Sequence, residues 1–273
     1  SPASAAPAVP LQQQLQQSAT GRIVLASVVD GRNRPLVAVG PDDFVVTENG
    51  QGRDVLDVHV ADYPVVVVMD DTGAEPERLA AMKAAVTRFV TRIGERPVAV
   101  AVLSKPDGFI AAFDDERAQV LERINAIAGG DAPASPIGAL SQAARSLKEL
   151  GVPFSAIVVV TARPVGTSAQ VAPAVVAEIL DSGANIQVVI ARDANESPET
   201  ARTDLLRVLA GQTRGQYTPI FSPASYAIAL ERIADRMAAE LMIEYVAPVG
   251  SSPGDVKIGA RLPGARVVGL GVK

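Results

Sequence analysis

The amino-acid sequence predicts a doubly wound α/β fold: a mostly parallel sheet with helices on both faces, joined to a small β unit formed by the N- and C-terminal strands. Three observations carry this. Between residues 63 and 241, short apolar runs such as "VVVVM", "PVAVAVL" and "AIVVVTA" alternate with stretches of helical hydrophobic period. Those runs lack the polar alternation of a half-exposed sheet, as expected of parallel strands buried between two helical layers. The flanking segments instead read as short strands broken by turn signals.

Residues 1–20, "SPASAAPAVPLQQQLQQSAT", form a Pro/Ala/Gln tract without periodicity, read as a flexible tail or linker. Such a tract resembles the spacer behind a processed signal peptide or lipid anchor, and the expectation is an exported protein. Residues 21–62 hold the strand candidates "RIVLASVVD", "PLVAV", "DFVVTEN" and "RDVLDVHVA", with turns at Asp30-Gly31 and Asn49-Gly50. In residues 63–241, "VVVVM" leads to a helix with apolar positions at Leu79, Met82, Val86, Phe89, Val90 and Ile93. Strand "PVAVAVL", an antiparallel excursion at "GFIAAF", and helices Glu116–Ala128 and Pro136–Leu150 follow. The alternation continues with strand "AIVVVTA", helix Val171–Asp181, strand "NIQVVIA", a helix near Thr203–Ala210, strand "GQYTPI" and a helix from Pro223 to about Leu241. Residues 242–273 return to strand patterning, and these strands are expected to pair with the N-terminal ones because neither set suffices alone.

Composition narrows the function. With 25 basic and 30 acidic residues, a net charge of −5 and 4% aromatics, the chain offers no basic, aromatic surface for nucleic acid. No apolar run reaches the roughly 18 residues of a membrane span. The absence of cysteine removes disulfides, thiolate metal sites and a thiol nucleophile. The single histidine, His59, falls in predicted strand "LDVHVAD", as a surface residue away from the α/β strand ends, so no Ser-His-Asp triad is indicated. Neither a phosphate-binding loop nor a dinucleotide glycine fingerprint is present. Asp114-Asp115 read as a helix start, and Arg192-Asp193 with "ANESPET" as a solvated loop.

The chemistry concentrates at "VVVVMDDTGAE". Open parallel sheets bind ligands at the carboxyl ends of their strands, and Asp70, Asp71 and Thr72 occupy such an end. They admit three roles: capping the following helix and bonding the loop, holding a metal ion, or serving a hydrolase as an acid and base pair.

The order of these segments resembles von Willebrand factor A domains. That family carries Asp-x-Ser-x-Ser after its first strand, a Thr before a central helix and an Asp after its fourth strand. Together they hold a magnesium-like ion that takes a partner's carboxylate, the metal-ion-dependent adhesion site. The corresponding positions here are Asp70, Thr72 and Ala74 in "DDTGA", Ser135 in "APASPIGAL", and Ala162 in "VVVTARP". The flanking "GPDDFVVTENGQGRDVLDV", "IADRMAAELMIEYVAP" and "ARLPGARVVGLG" resemble an exported bacterial, acidobacterial-type group of such proteins. Ala74 lacks a hydroxyl and Ala162 a carboxylate, so the resemblance implies a vestigial site with no metal. Its alternative is weakly bound Mg2+ on Asp70, Thr72 and Ser135, with Asp71, Glu75 and Asp131 as substitute ligands. The implied function is a non-catalytic protein-interaction or scaffold module, binding a protein partner through Asp71, Gly73, Glu75, Asp131, Pro133, Pro136 and Arg163. Within this set, "GGDAPASPIG" is the leading recognition loop.

Overall fold

The computed structural model describes residues 19–73, 75–105, 108–131, 136–166, 171–193, 203–252 and 254–273. The elements begin with strands β1 (Ala19–Val29), β2 (Phe44–Glu48), β3 (Gln51–Arg53), β4 (Val55–Val60) and β5 (Val65–Met69). Helix α1 (Pro76–Arg92), strand β6 (Val98–Val102), helices α2 (Arg117–Asn125) and α3 (Pro136–Leu150) and strand β7 (Ala156–Thr161) follow. Next are α4 (Pro173–Asp181), β8 (Asn185–Ala191), α5 (Leu205–Gln212), β9 (Tyr217–Ile220) and α6 (Ser225–Ala238). The chain closes with β10 (Glu240–Pro248), β11 (Val256–Ala260) and β12 (Arg266–Val272). The described residues divide into two compact units, one made of the chain up to Ala61 with Ala239–Lys273, the other of Asp62–Ala238.

The first unit joins the two ends of the chain. Its sheets have the orders β12-β1-β10-β4 and β11-β2-β3, antiparallel throughout. Register follows the period of two: Val24 lies opposite Ile243, Ala26 opposite Leu241 and Val46 opposite Ile258. The inward set, including Val28, Phe44 and Tyr245, makes one apolar core. Glu48 is buried at the end of β2 and accepts from Arg22 of β1, Tyr245 Oη of β10 at 3.3 Å and Gly254 N at 3.5 Å. His59 sits on β4 with its side chain 43% exposed and Nδ1 2.9 Å from Asp57, a surface strand residue as expected.

In the second unit the parallel sheet has the order β6-β5-β7-β8-β9. Every residue of β5, β6 and β7 is buried, which explains their continuous apolar runs. Val66 and Val68 pack with Leu140, Ile179, Leu206 and Leu209 from α3, α4 and α5. Helix α1 packs on α2 and α6 and buries Met82, Val86, Phe89 and Val90, as its spacing predicts. The "GFIAAF" excursion contributes one antiparallel bridge, Ala111 to Val100.

Several sequence expectations are corrected. "PLVAV" is not a strand: Pro35, which has no N–H to donate, makes a single bridge to Val29. Asp114 and Asp115 precede α2 instead of starting it, and Asp115 accepts from Ala112 N and Arg123 to close a turn. Helix α5 starts at Leu205 because Asp204 caps it, accepting from Leu206 N at 3.1 Å. Helix α6 spans Ser225–Ala238, since Leu241 belongs to β10 and pairs with Ala26.

Burial alone would raise the Glu48 pKa, but the Gly254 N–H, the Arg22 guanidinium and the Tyr245 hydroxyl hold it below the ordinary 4.5. The associated stability is present above that value and is lost as pH falls through the lowered one. Glu48→Gln should therefore start from a lower melting temperature, with Arg22 deprived of its charged partner, and lose less of it between about pH 5 and pH 3. Thermal melts across that range check this; an acid decline as steep as the wild type's contradicts it.

Candidate functional site

Strand β5 has β6 on one side and β7 on the other, so its carboxyl end opens at the point where the sheet order reverses. Pairing continues one residue past the strand, with Asp70 N donating to Val160 O at 2.8 Å. The Asp70 carboxylate is thereby held beside the end of β7, and its residue is only 3% exposed.

Its two oxygens are densely used. Oδ1 accepts from Thr72 N at 3.2 Å and Thr72 Oγ1 at 2.9 Å, while Oδ2 accepts from Thr161 Oγ1 at 2.8 Å and lies 3.5 Å from Ala162 N. Arg163 completes the shell, with Nε 3.3 Å from Oδ2 and Nη2 donating to Thr72 O. The Arg163 N–H also donates to Thr161 Oγ1 at 2.9 Å, so one hydroxyl fixes both the acid and the loop carrying the cation. Two loops are thus tied to one carboxylate.

Gly73 makes this approach feasible. Its φ of +57° suits glycine, and a Cβ there would lie 2.9 Å from Arg163 Nη2. The neighbouring 129–131 loop runs alongside, with Gly130 N donating to Asp71 O and Gly73 N to Gly130 O, both at 3.0 Å. A Cβ on Gly130 would lie 2.5 Å from Ser104 Cβ.

Asp71 is as buried as Asp70 but takes Ser104 N at 2.9 Å and Ser104 Oγ as its donors. The two acids therefore serve different groups. Neither Asp71 nor Thr72 caps α1; Glu75 holds the cap position without a side-chain bond, and Pro76 opens the helix. Of the remaining candidates, Gly73, Glu75 and Asp131 are exposed, whereas Pro136 is buried at the start of α3. Ala74, Pro133 and Ser135 lie outside the described residues. A cleft of about 440 Å³ opens here, lined by Asp71, Gly73, Leu79, Lys83, Ile127 and Asp131 among others.

Sequence reasoning missed Thr161, Ser104 and Tyr226. The one available signal was the hydroxyl ending the apolar run "AIVVVT". Tyr226 is fully buried with Oη 3.5 Å from Thr161 O. Burial first, and the charge of Asp70, push its phenol up to about 12 against the pull of Arg78. Arg192 corrects another expectation: its side chain is not solvated but 4% exposed, 3.5 Å from Asp204 Oδ2 and 3.2 Å from Tyr217 Oη. Among the described residues, no group of three His, Cys, Asp or Glu side chains is arranged to hold a metal ion.

No protein-family model matches the chain, and no curated protein matches it in sequence. Solved structures do. A von Willebrand factor type A protein from Catenulispora acidiphila is 14% identical with a TM-score of 0.52, covering 94% of this chain and 73% of its own. The von Willebrand factor domain of the type V pili tip protein Mfa5 from Porphyromonas gingivalis is 11% identical with a TM-score of 0.51, covering 65% of this chain and 95% of its own. Proximal thread matrix protein 1 from the mussel byssus is 12% identical with a TM-score of 0.51, covering 75% of this chain and 50% of its own. At such identities the likeness establishes the fold: the parallel sheet and its helices are those of a von Willebrand factor A domain, with antiparallel sheets added.

Thr161→Val should cost about 1–3 kcal/mol, the usual loss when a buried polar group forfeits a hydrogen-bond partner. Denaturant unfolding measures it, and a stability equal to the wild type's would mean that the hydroxyl does not hold the two loops together.

Proposed function

We propose that the chain is a non-catalytic protein-interaction or scaffold module of an exported protein, binding its partner through the strand-end loops without a metal bridge. The carrying observation is the shell around Asp70. A magnesium-like ion needs near-octahedral oxygen ligands at about 2.0–2.1 Å. The residues described do not fit one: Asp70's oxygens face four hydrogen-bond donors, and a guanidinium lies against the same carboxylate. Ala162 contributes a backbone N–H at the position where the family has a second carboxylate.

The same geometry speaks against an acid and base pair. Asp70 and Asp71 are both buried and engage separate donors, Thr161 and Arg163 for the first, Ser104 for the second. Exposed Glu75, and the cleft that exposed Asp131 lines with α1 residues Leu79 and Lys83, remain as the surface for a partner. One relative in fold is a domain of a pili tip protein, which fits a place outside the cytoplasm. Among the described residues, no helix is long and apolar enough to cross a membrane.

The test is affinity capture from an envelope fraction with the immobilised chain, run in chelator and in millimolar magnesium, followed by direct binding of each captured protein. The expected result is equal binding in both buffers and a loss of at least about tenfold, or about 1.4 kcal/mol, for Asp131→Lys. Binding that requires magnesium, or turnover of a hydrolase substrate that Asp70→Asn abolishes, would overturn the proposal.

A further inference from the structure

We infer that Arg163 is a resident cation at the strand-end site, a guanidinium that does inside the chain what a bound divalent ion would otherwise do: neutralise Asp70 and tie the loop after β7 to the loop after β5. This deepens the metal-independent reading of the same site and rests on it.

The geometry supplies the argument. An ionised carboxylate has about four acceptor positions, and those of Asp70 face Thr72 N, Thr72 Oγ1, Thr161 Oγ1 and Ala162 N. These donors are neutral, and a carboxylate so deeply buried still needs a positive charge. Arg163 supplies it at 3.3 Å. It also bonds the backbone oxygen of Thr72, so it bridges an acidic oxygen and a main-chain oxygen from one loop while belonging to the other.

A cation of fixed geometry needs a shaped seat. Gly73 provides it, since any side chain there would begin 2.9 Å from Nη2. The backbone N–H of Arg163 is fixed in turn by Thr161 Oγ1. A lysine could not reproduce this fork, because its point charge lacks the guanidinium's paired N–H directions. A divalent ion would have to displace the guanidinium and reorient the donors facing Asp70 before it could coordinate.

The same arrangement says what restoring the family's missing oxygens would do. A carboxylate introduced by Ala162→Asp would meet Arg163 beside it and pair with the guanidinium. Metal affinity should therefore return only when the guanidinium is removed.

The test uses the isolated chain with manganese as the probe, so its failure says nothing against partner binding by other parts of the face, and loss of the partner reading would leave it standing. Melting temperatures are compared in chelator and in 10 mM manganese chloride for the wild type, Arg163→Gln, Arg163→Lys, Ala162→Asp and the double variant Ala162→Asp/Arg163→Gln. In chelator, Arg163→Gln should melt about 6–20 °C below the wild type, with Arg163→Lys between them. Manganese should leave the wild type and Ala162→Asp unmoved and raise Ala162→Asp/Arg163→Gln by about 2–4 °C, a gain that adding Asp70→Asn abolishes. If Arg163→Gln does not fold, Arg163→Lys, which keeps the charge but gives up the fork, takes its place in the chelator comparison and should melt below the wild type. A wild type that manganese stabilises through Asp70 overturns the inference. So does an Arg163→Gln that melts like the wild type in chelator, an Ala162→Asp/Arg163→Gln indifferent to manganese, or equal values for Gln and Lys in chelator.

Discussion

A carboxylate set at the end of a central strand, with β-sheet on both sides and 3% of its residue exposed, must find its donors and its countercharge within the fold. Losing one partner of a buried charge pair costs about 3–5 kcal/mol, comparable to a large share of a domain's net stability. Asp70 is that carboxylate. Its requirements dictate a turn at Thr72-Gly73 tight enough to return an N–H and a hydroxyl to Oδ1, a hydroxyl on the last residue of β7, and an arginine two residues later. Each of these elements is legible as a consequence of one charge.

Parallel pairing makes the solution possible. Because β5 and β7 run side by side in register, Met69 opposite Val160, their ends coincide and the loops leaving them emerge together. Just past β5, residues 70 and 71 take separate partners, Thr161 at the end of β7 and Ser104 after β6. A second buried acid, Asp204, solves the same problem elsewhere with Arg192, Tyr217 and two backbone N–H groups, on the loop side of β8 and β9. Buried acids pinned by arginine thus fasten two of the strand-end loops.

The alternation of apolar runs and helical periods was legible because strands buried on both faces leave an unambiguous trace, and β5 to β8 fall where "VVVVM", "VAVAV", "AIVVVT" and "NIQVVIA" stand. The terminal β unit was legible from strand patterning at both ends of the chain, neither set sufficient alone. The failures share a cause: each depended on a specific side-chain contact that carries no periodic trace. Asp115 reads as a helix starter until Arg123 and Ala112 are seen to hold it in a turn. Arg192 reads as solvated until Asp204 and Tyr217 enclose it. At the strand-end site the sequence revealed which oxygens were missing at Ala74 and Ala162, but not what compensates for them. Arg163, read in the stretch "TARP" as a candidate partner contact, has no periodic or motif signal for pairing with Asp70, 93 residues away.

The central claim is that the positive charge at Asp70 belongs to the chain. The most direct measurement is a crystal structure of the protein grown with manganese, with anomalous differences collected at the manganese edge. The account predicts no anomalous peak within coordination distance of Asp70 and a guanidinium in contact with both Asp70 and Thr72. A manganese peak ligated by Asp70, with Arg163 turned out to solvent, would contradict it.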